Sequence, residues 1–309
     1  MIEAKGLTKT FPGVAAVQDV SFRVDPGEIV GFLGPNGAGK STTMRMLTGF
    51  IPPTSGTAVV AGFDVTRESA EVRRHIGYLP EANPLYPEMR VHEYLSYRGE
   101  LKGLKGAQIA RNVDEVVQRC SLGEFSKRII GKLSKGMRQR VGLADAMVHD
   151  PKVLILDEPT IGLDPNQIRE MRQVISDLGR DKTLLLSSHI LSEIELTCNR
   201  VIILVGGRVA AQGTTEEIAK TLGTTGRIRM EVLGHGSAVK SAVDKMEQVQ
   251  RVHWNHRGDL NVFLIDTRDR ADLRAELFAL ARRENWKVQE IAFERVSLEE
   301  AFSRLTGPA

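Results

Sequence analysis

The chain has 309 residues, 41% of them hydrophobic, enough for one large domain and a smaller one with ordinary buried cores. Its 42 basic and 39 acidic side chains nearly cancel to a net +3, which excludes a charge field strong enough to argue for nucleic acid or an anionic lipid surface. Cys120 and Cys198 show no CxxC or Cys/His ligand spacing, against a disulfide framework or zinc site, and no apolar run approaches the ~20 residues of a membrane helix.

The N-terminal stretch MIEAKGLTKTF has no basic start, apolar stretch or small-residue cleavage site, so the expected compartment is the cytosol and any membrane role calls for a partner. Strand-like runs at residues 2–7, 17–24 and 28–33 lead into a glycine-rich loop, and residues 42–48 begin a helix. Residues 91–120 carry polar residues at helical spacing, interrupted by glycines, and a second helix starts at Ser134, so a helical insertion is expected at about 87–148. The short apolar runs 153–156 and 183–186 have the pattern of strands covered on both faces in a parallel sheet, with a helix between them at 166–178. A last strand, 200–205, precedes the turn Gly206-Gly207, and 214–222 has helical character. The alternation predicts an α/β sheet domain over residues 1–222 with a helical subdomain.

Composition breaks at Gly223-Thr224-Thr225-Gly226, read as a linker. Beyond it come a strand (228–233), a helix (238–246), two strands (249–255 and 260–266), a helix (270–284) and a strand (288–294). This βαββαβ order predicts a small ferredoxin-like α+β domain over 226–309. Within it, His253-Trp254-Asn255-His256 reads either as a ligand contact or, by its alternation, as a strand with one half-buried aromatic. Residues 298–305 are amphipathic and are expected to pack against their own domain.

Gly34-Pro35-Asn36-Gly37-Ala38-Gly39-Lys40-Ser41, with Thr42 behind it, fits the phosphate-loop pattern G-x-x-x-x-G-K-[ST]. The glycines let backbone N–H groups wrap phosphate oxygens at a helix N-terminus, Lys40 would reach the β- and γ-phosphates, and the Ser41 hydroxyl would ligate Mg²⁺. The alternative is a glycine turn with a solvated lysine; the apolar run before it and the helix start after it favour the phosphate loop. The run 153–156 ends in Asp157-Glu158-Pro159, where a buried parallel strand emerges at the ligand-binding edge of a sheet. Asp157 suits Mg²⁺, directly or through water. Glu158, one residue further along an extended chain, is expected to point the other way and to polarise an attacking water.

Leu133-Ser134-Lys135-Gly136-Met137, shortly before the acid-tipped strand, resembles the signature usually written LSGGQ, and with it the chain resembles the ATP-binding subunit of ABC transporters from Met1 to about Leu222. That resemblance implies a head-to-tail dimer in which Ser134 and Gly136 of one subunit meet the γ-phosphate held by the other. It further implies that Phe11 stacks on adenine, that Asp164 in Gly162-Leu163-Asp164-Pro165 bridges the subunits, and that His189 after Ser187-Ser188 contacts the γ-phosphate and holds Glu158 and the water in line. Glu81 stands where the family has the glutamine that couples to the permease, so it can accept from water or approach Mg²⁺ but cannot donate as an amide does.

The strings YLPEANPLYPEM, LSKGMRQRVGLA and GLDPNQ, with Ser297-Leu298-Glu299-Glu300-Ala301-Phe302, are similar to the ABC-2 exporter class, in particular its gliding-motility-type and drug- or sodium-efflux-type ATPases. That class implies a peripheral location on the cytoplasmic face, a separate permease and often an accessory C-terminal domain. Residues 83–89 are the candidate permease contact or an ordinary Pro-rich turn. Two other readings stand beside the exporter: an ABC ATPase of a membrane complex that moves or signals without transport, and a soluble ABC ATPase of DNA repair or translation, whose coiled-coil insertions, zinc cysteines or fused second unit are not seen.

Overall fold

A computed structural model describes residues 1–221, 226–268, 271–294 and Phe302; of the linker expected at 223–226, residues 223–225 lie outside the described residues and Gly226 begins a strand, and the stretch 297–305, apart from Phe302, also lies outside them. The chain divides into two compact units, one covering Met1–Thr215 and the other beginning at Glu216.

The first unit opens with β1 (Ile2–Phe11), β2 (Val14–Val24) and β3 (Ile29–Leu33), followed by α1 (Lys40–Leu47), β4 (Ser55–Val60) and β5 (Phe63–Asp64). It continues through α2 (Ser69–His75), β6 (Ile76–Leu79), α3 (Val91–Leu101), α4 (Ala107–Arg119) and α5 (Lys135–Met147). β7 (Val153–Leu156), α6 (Pro165–Leu178), β8 (Thr183–Ser188), α7 (Leu191–Thr197), β9 (Arg200–Val205) and β10 (Arg208–Gly213) complete it. An antiparallel sheet of order β2-β1-β4-β5 faces a six-stranded sheet of order β10-β9-β3-β8-β7-β6, parallel except at its β10 edge. β3, β7 and β8 are buried along their whole length because both faces are covered, which is why they read as unbroken apolar runs. One core joins the two sheets across α1, with Leu7, Val20 and Phe22 meeting Phe32, Met44, Leu47, Ile155 and Ile202. Each such fully buried large side chain contributes about 1.5–3 kcal/mol.

The stretch expected to be helical over 91–120 is two helices, broken where Gly103 takes a positive φ of 94° after α3. α3 and α5 are tied by Asp145, which accepts from Tyr94 Oη at 3.1 Å and Arg98 Nε at 2.9 Å and pairs with Lys102. Burial, followed by the charge of Lys102, pushes the neighbouring His149 down to about 4. Its Nε2 sits 3.0 Å from the Ile76 carbonyl oxygen, and its buried Nδ1 has no partner among the described residues. An unfolded histidine takes its proton near pH 6.5, before the folded one does. Stability is therefore expected to fall as pH drops from about 6.5 toward 4, by up to ~3 kcal/mol from this residue. Urea unfolding midpoints between pH 7 and pH 5 should change less steeply for His149→Gln than for the parent chain.

α8 (Thr215–Thr221) lies at the division, and the second unit follows with β11 (Gly226–Leu233), α9 (Gly236–Val243), β12 (Val249–Arg257), β13 (Leu260–Thr267), α10 (Arg274–Arg283) and β14 (Lys287–Glu294). Its antiparallel sheet has the order β12-β13-β11-β14, the ferredoxin-like arrangement that the βαββαβ order predicts. Alternate residues of β11, Ile228, Met230 and Val232, meet Val239 and Val243 of α9 and Leu277 and Ala281 of α10. The helix expected from residue 270 starts at Arg274, where Asp272 holds the Arg274 guanidinium at 2.7 Å. Residues 253–256 lie in β12, as the strand reading expected; Trp254 is exposed at 41%, and its indole N–H is donated to Asn261 Oδ1 at 2.9 Å.

Candidate functional site

Three loops leave the parallel sheet at the carboxyl ends of β3, β8 and β7, which are immediate neighbours in that order. Strands in a sheet lie about 4.8 Å apart, so the three loops share one crevice. The loop after β3 runs from Gly34 into α1. Gly39 is the residue before that helix and has φ of 100°; a Cβ there would come within 2.6 Å of the Ala16 carbonyl oxygen, so glycine is required on both counts. Lys40 follows at the first helical position, 6% exposed, its ammonium donating to the Gly34 carbonyl at 2.7 Å and the Pro35 carbonyl at 3.3 Å.

Ser41 Oγ donates to Asp157 Oδ1 at 3.1 Å, which brings the loop and the acid at the end of β7 together. Ser187, the penultimate residue of β8, donates its own hydroxyl to the same oxygen at 2.7 Å and accepts from the Glu158 N–H at 2.9 Å. Asp157 is 1% exposed, and its charge, after burial, helps push the nearby Tyr78 hydroxyl up to about 12.

The expectation that Glu158 lies on extended chain is corrected. β7 ends at Leu156 and Glu158 has φ of 49°, a left-handed conformation uncommon for a residue with a side chain. The chain turns there, held by the Glu158 N–H to Ser187 and by the Ile161 N–H donated to the Glu158 carbonyl at 3.1 Å. The turn brings both acids into the crevice. Glu158, 5% exposed, has Oε1 at 3.6 Å from Lys40 Nζ and Oε2 at 2.8 Å from His189 Nδ1. The base candidate is therefore oriented by an imidazole just past the end of β8 and by the loop lysine, a geometry suited to aligning a water for in-line attack.

The signature residues Leu133, Ser134, Lys135, Gly136 and Met137 stand at the start of α5, where Ser134 is the N-cap and accepts from the Met137 N–H at 3.2 Å. Gly136 is buried against Gln167 of α6, where a Cβ would meet Oε1 at 2.7 Å. Asp164 caps α6, accepting from the Asn166 and Gln167 N–H groups at 3.0 Å each. Among the described residues, no hydrogen bond or ion pair joins 133–137 to the loop 34–41 or to Glu158 and His189. Ser134 is exposed and the N-terminus of α5 carries the positive end of its dipole.

Glu81 is exposed and makes no hydrogen bond or ion pair among the described residues, so it is not brought to Ser41 or Asp157. Two residues on, Asn83 donates to the Arg138 carbonyl of α5 at 3.1 Å, and with Pro80, Pro84, Arg45, Arg98 and Lys102 it lines a groove of about 620 Å³. Phe11 ends β1, 42% exposed, with Lys9 Nζ 5.4 Å from its ring centre.

Sequence reasoning missed Ser187, Thr160 and Glu193. Thr160 Oγ1 and Ser188 Oγ both donate to Glu193 Oε2, at 2.5 and 3.2 Å. Two adjacent serines in an otherwise apolar buried strand are the signal that was available, because neighbouring strand residues face opposite ways and each buried hydroxyl needs its own partner.

Ser41, Asp157 and Ser187 present hard oxygen donors around one point. No group of three or more His, Cys, Asp or Glu that could hold a metal is found among the described residues. A small divalent cation that keeps several waters and uses one carboxylate plus phosphate oxygens fits such a site. No helix of the described residues is long and apolar enough to cross a membrane.

Comparison with known proteins agrees with this geometry. A family model described as ABC transporter matches residues 17–161. Linearmycin resistance ATP-binding protein LnrL of Bacillus subtilis (strain 168) is 32% identical over 308 residues, covering 99% of this chain and 98% of that protein. A solved ATP-binding subunit of an ABC transporter superposes with TM-score 0.66 at 33% identity, over 72% of this chain and 93% of that one. A dimeric ATP-binding cassette in a post-hydrolysis state with ADP and Pi gives TM-score 0.64 at 25% identity, over 69% and 98%. With the phosphate loop, the paired acids and the histidine converging on one crevice, the chain belongs to the ABC transporter family as an ATP-binding subunit, and it is an ATPase.

Proposed function

We infer that the chain hydrolyses Mg-ATP as one half of a head-to-tail dimer and powers export through a separate ABC-2-type permease from the cytoplasmic face of the membrane. The observation that carries the hydrolytic part is the contact of His189 Nδ1 and Lys40 Nζ with the two oxygens of one buried carboxylate, Glu158. Gly34, Pro35, Asn36, Gly37, Ala38, Gly39, Lys40, Ser41 and Thr42 would wrap the phosphates, and Phe11, exposed at the end of β1, would stack on adenine. Bound Mg²⁺ would neutralise charge on the β- and γ-phosphates, and Ser41 and Asp157 would hold it. Glu158 would take the proton of the attacking water, and His189 would keep that carboxylate in line.

The exposed N-cap Ser134 with Gly136 behind it supports a second phosphate contact made in trans, which one chain cannot supply to itself if the two sets stay apart. Asp164 lies on the same side, at the head of the helix that packs on Gly136. The match to a resistance protein along 99% of the chain supports export of a drug-like compound. It also supports an accessory, regulatory or dimer-stabilising role for the ferredoxin-like domain, 226–309, beside the ATP-binding domain, 1–222, with its helical insertion. Residues 83–89, at the groove beside Asn83 and Pro84, are the proposed permease contact.

Purification of the tagged chain from its own membranes should bring down a polytopic membrane protein, and vesicles holding both should show ATP-dependent movement of a solute. Recovery with soluble repair or translation factors alone would overturn the transport reading. Removing residues 226–309 should alter dimerisation, turnover or permease binding; no change in all three would remove the accessory role.

A further inference from the structure

Glu193 is the third residue of α7, the position from which a glutamate ordinarily reaches back to the N–H of the residue before the helix. Here that N–H, of Ile190, goes to Ser188 Oγ at 3.0 Å, and Ser188 Oγ in turn donates to Glu193 Oε2. Because Ser188 relays the cap, the carboxylate can also take the Thr160 hydroxyl, at 2.5 Å, from the turn that follows Glu158. All three groups are buried, at 9% exposure for Glu193, 6% for Thr160 and 1% for Ser188. The other oxygen, Glu193 Oε1, is buried with no hydrogen-bond partner among the described residues, which is a poor use of a carboxylate if capping a seven-residue helix were its only task.

The residues on either side of this bridge are the reacting ones. Ser188 immediately precedes His189, and Thr160 lies two residues after Glu158. α7 is fixed from behind, where Ile194 packs so closely on Gly31 of β3 that a Cβ there would fall 2.6 Å from its Cγ2. Beyond the Ser187 hydroxyl, which already joins the two loops at their base, the bridge anchors both, one holding the carboxylate and one the imidazole, to one helix packed on the phosphate-loop strand.

We propose that Glu193 is a positioning residue, clamping the turn after Glu158 to the loop of His189 so that the two catalytic groups keep their 2.8 Å contact. The inference rests on the hydrolytic role proposed for Glu158 and His189. The turn that Thr160 begins continues to Asp164, with the Leu163 N–H donated to the Thr160 carbonyl, so the clamp also ties the cap of α6 to the histidine loop.

Steady-state ATPase measurements on purified full-length Glu193→Ala, Glu193→Gln and Thr160→Val would test it, with thermal unfolding and nucleotide affinity measured alongside. Glu193→Ala is expected to lower kcat about ten- to hundredfold with KM for ATP unchanged, the scale of a small misplacement of reacting groups. Glu193→Gln keeps an oxygen that accepts from both hydroxyls and should restore kcat to within about threefold of the parent. Thr160→Val removes one hydroxyl without removing the acid; it should lower kcat about threefold or more and add little further loss in combination with Glu193→Ala. Unchanged kcat in both Glu193→Ala and Thr160→Val would overturn the proposal, as would a Glu193→Gln variant no better than Glu193→Ala. Should Glu193→Ala fail to fold, the kcat of Thr160→Val decides. Glu158→Gln in the same series separates the two readings: if it retains turnover, the hydrolytic assignment fails, whereas its loss with normal kcat in the Glu193 and Thr160 variants removes the clamp alone.

Discussion

Glu158→Gln is expected to lower ATP turnover about 10²- to 10³-fold while leaving ATP binding intact. The amide has nearly the same shape, so it can keep its place beside His189 Nδ1, 2.8 Å from Oε2, while the ion pair of Oε1 with Lys40 Nζ at 3.6 Å is lost. What disappears is the negative charge that, on the proposed reading, accepts a proton from water. The Glu158 N–H to Ser187 is a main-chain contact and stays, so the left-handed turn at this residue should stay as well. Removing an anion from beside the phosphate loop should also make ATP bind at least as tightly, because one repulsion with the γ-phosphate is gone. The measurement is turnover of the purified chain together with nucleotide affinity by fluorescence titration. Turnover within threefold of the parent would remove Glu158 as the base; lost turnover with lost binding would show a damaged loop instead.

The three strands that build the site were legible because burial on both faces leaves a plain mark: 29–33, 153–156 and 183–186 are apolar without alternation. The motif residues at their ends could be numbered for the same reason, and Lys40, Ser41, Asp157, Glu158 and His189 do meet in one crevice. Their neighbourhood was not legible. β3 lies between β8 and β9, strands about 155 and 170 residues away in the chain, and parallel neighbours of this kind are set by how the crossover helices pack rather than by any local pattern. Glu158 illustrates the same limit at the scale of one residue. It precedes Pro159, which disfavours right-handed helix and argues for extended chain, yet the Ser187 hydroxyl and the carbonyl bond to Ile161 hold it in the left-handed region. Both partners come from the tertiary structure or from the turn itself. In the second unit, alternation alone sufficed, because one helix-covered face and one open face give β11 a strict two-residue burial rhythm.

Lys40→Ala and Ser134→Asp are each expected to lower turnover about a hundredfold or more alone, and their mixture to regain up to about a quarter of the parent rate per chain. On the proposed reading Lys40 serves the phosphates bound by its own chain, so losing it would disable that chain's loop. Ser134 is an exposed N-cap, and aspartate caps a helix as well as serine does, so α5 should keep its start and its bond from the Met137 N–H. The introduced carboxylate, however, would stand where a partner's γ-phosphate is to meet the helix dipole. In a mixed dimer, the loop of the Ser134→Asp chain faces the intact signature of the Lys40→Ala chain, and that pair is a complete site; the other pair is broken on both sides. Random pairing makes half of the dimers mixed and gives each one intact site of two, hence the ceiling of about a quarter. A mixture no faster than the mean of its components, with both chains shown to dimerise on ATP, would mean that each chain completes its own site. Recovery would require that Lys40 of one chain and Ser134 of another act on the same ATP, which no arrangement within a single chain reproduces.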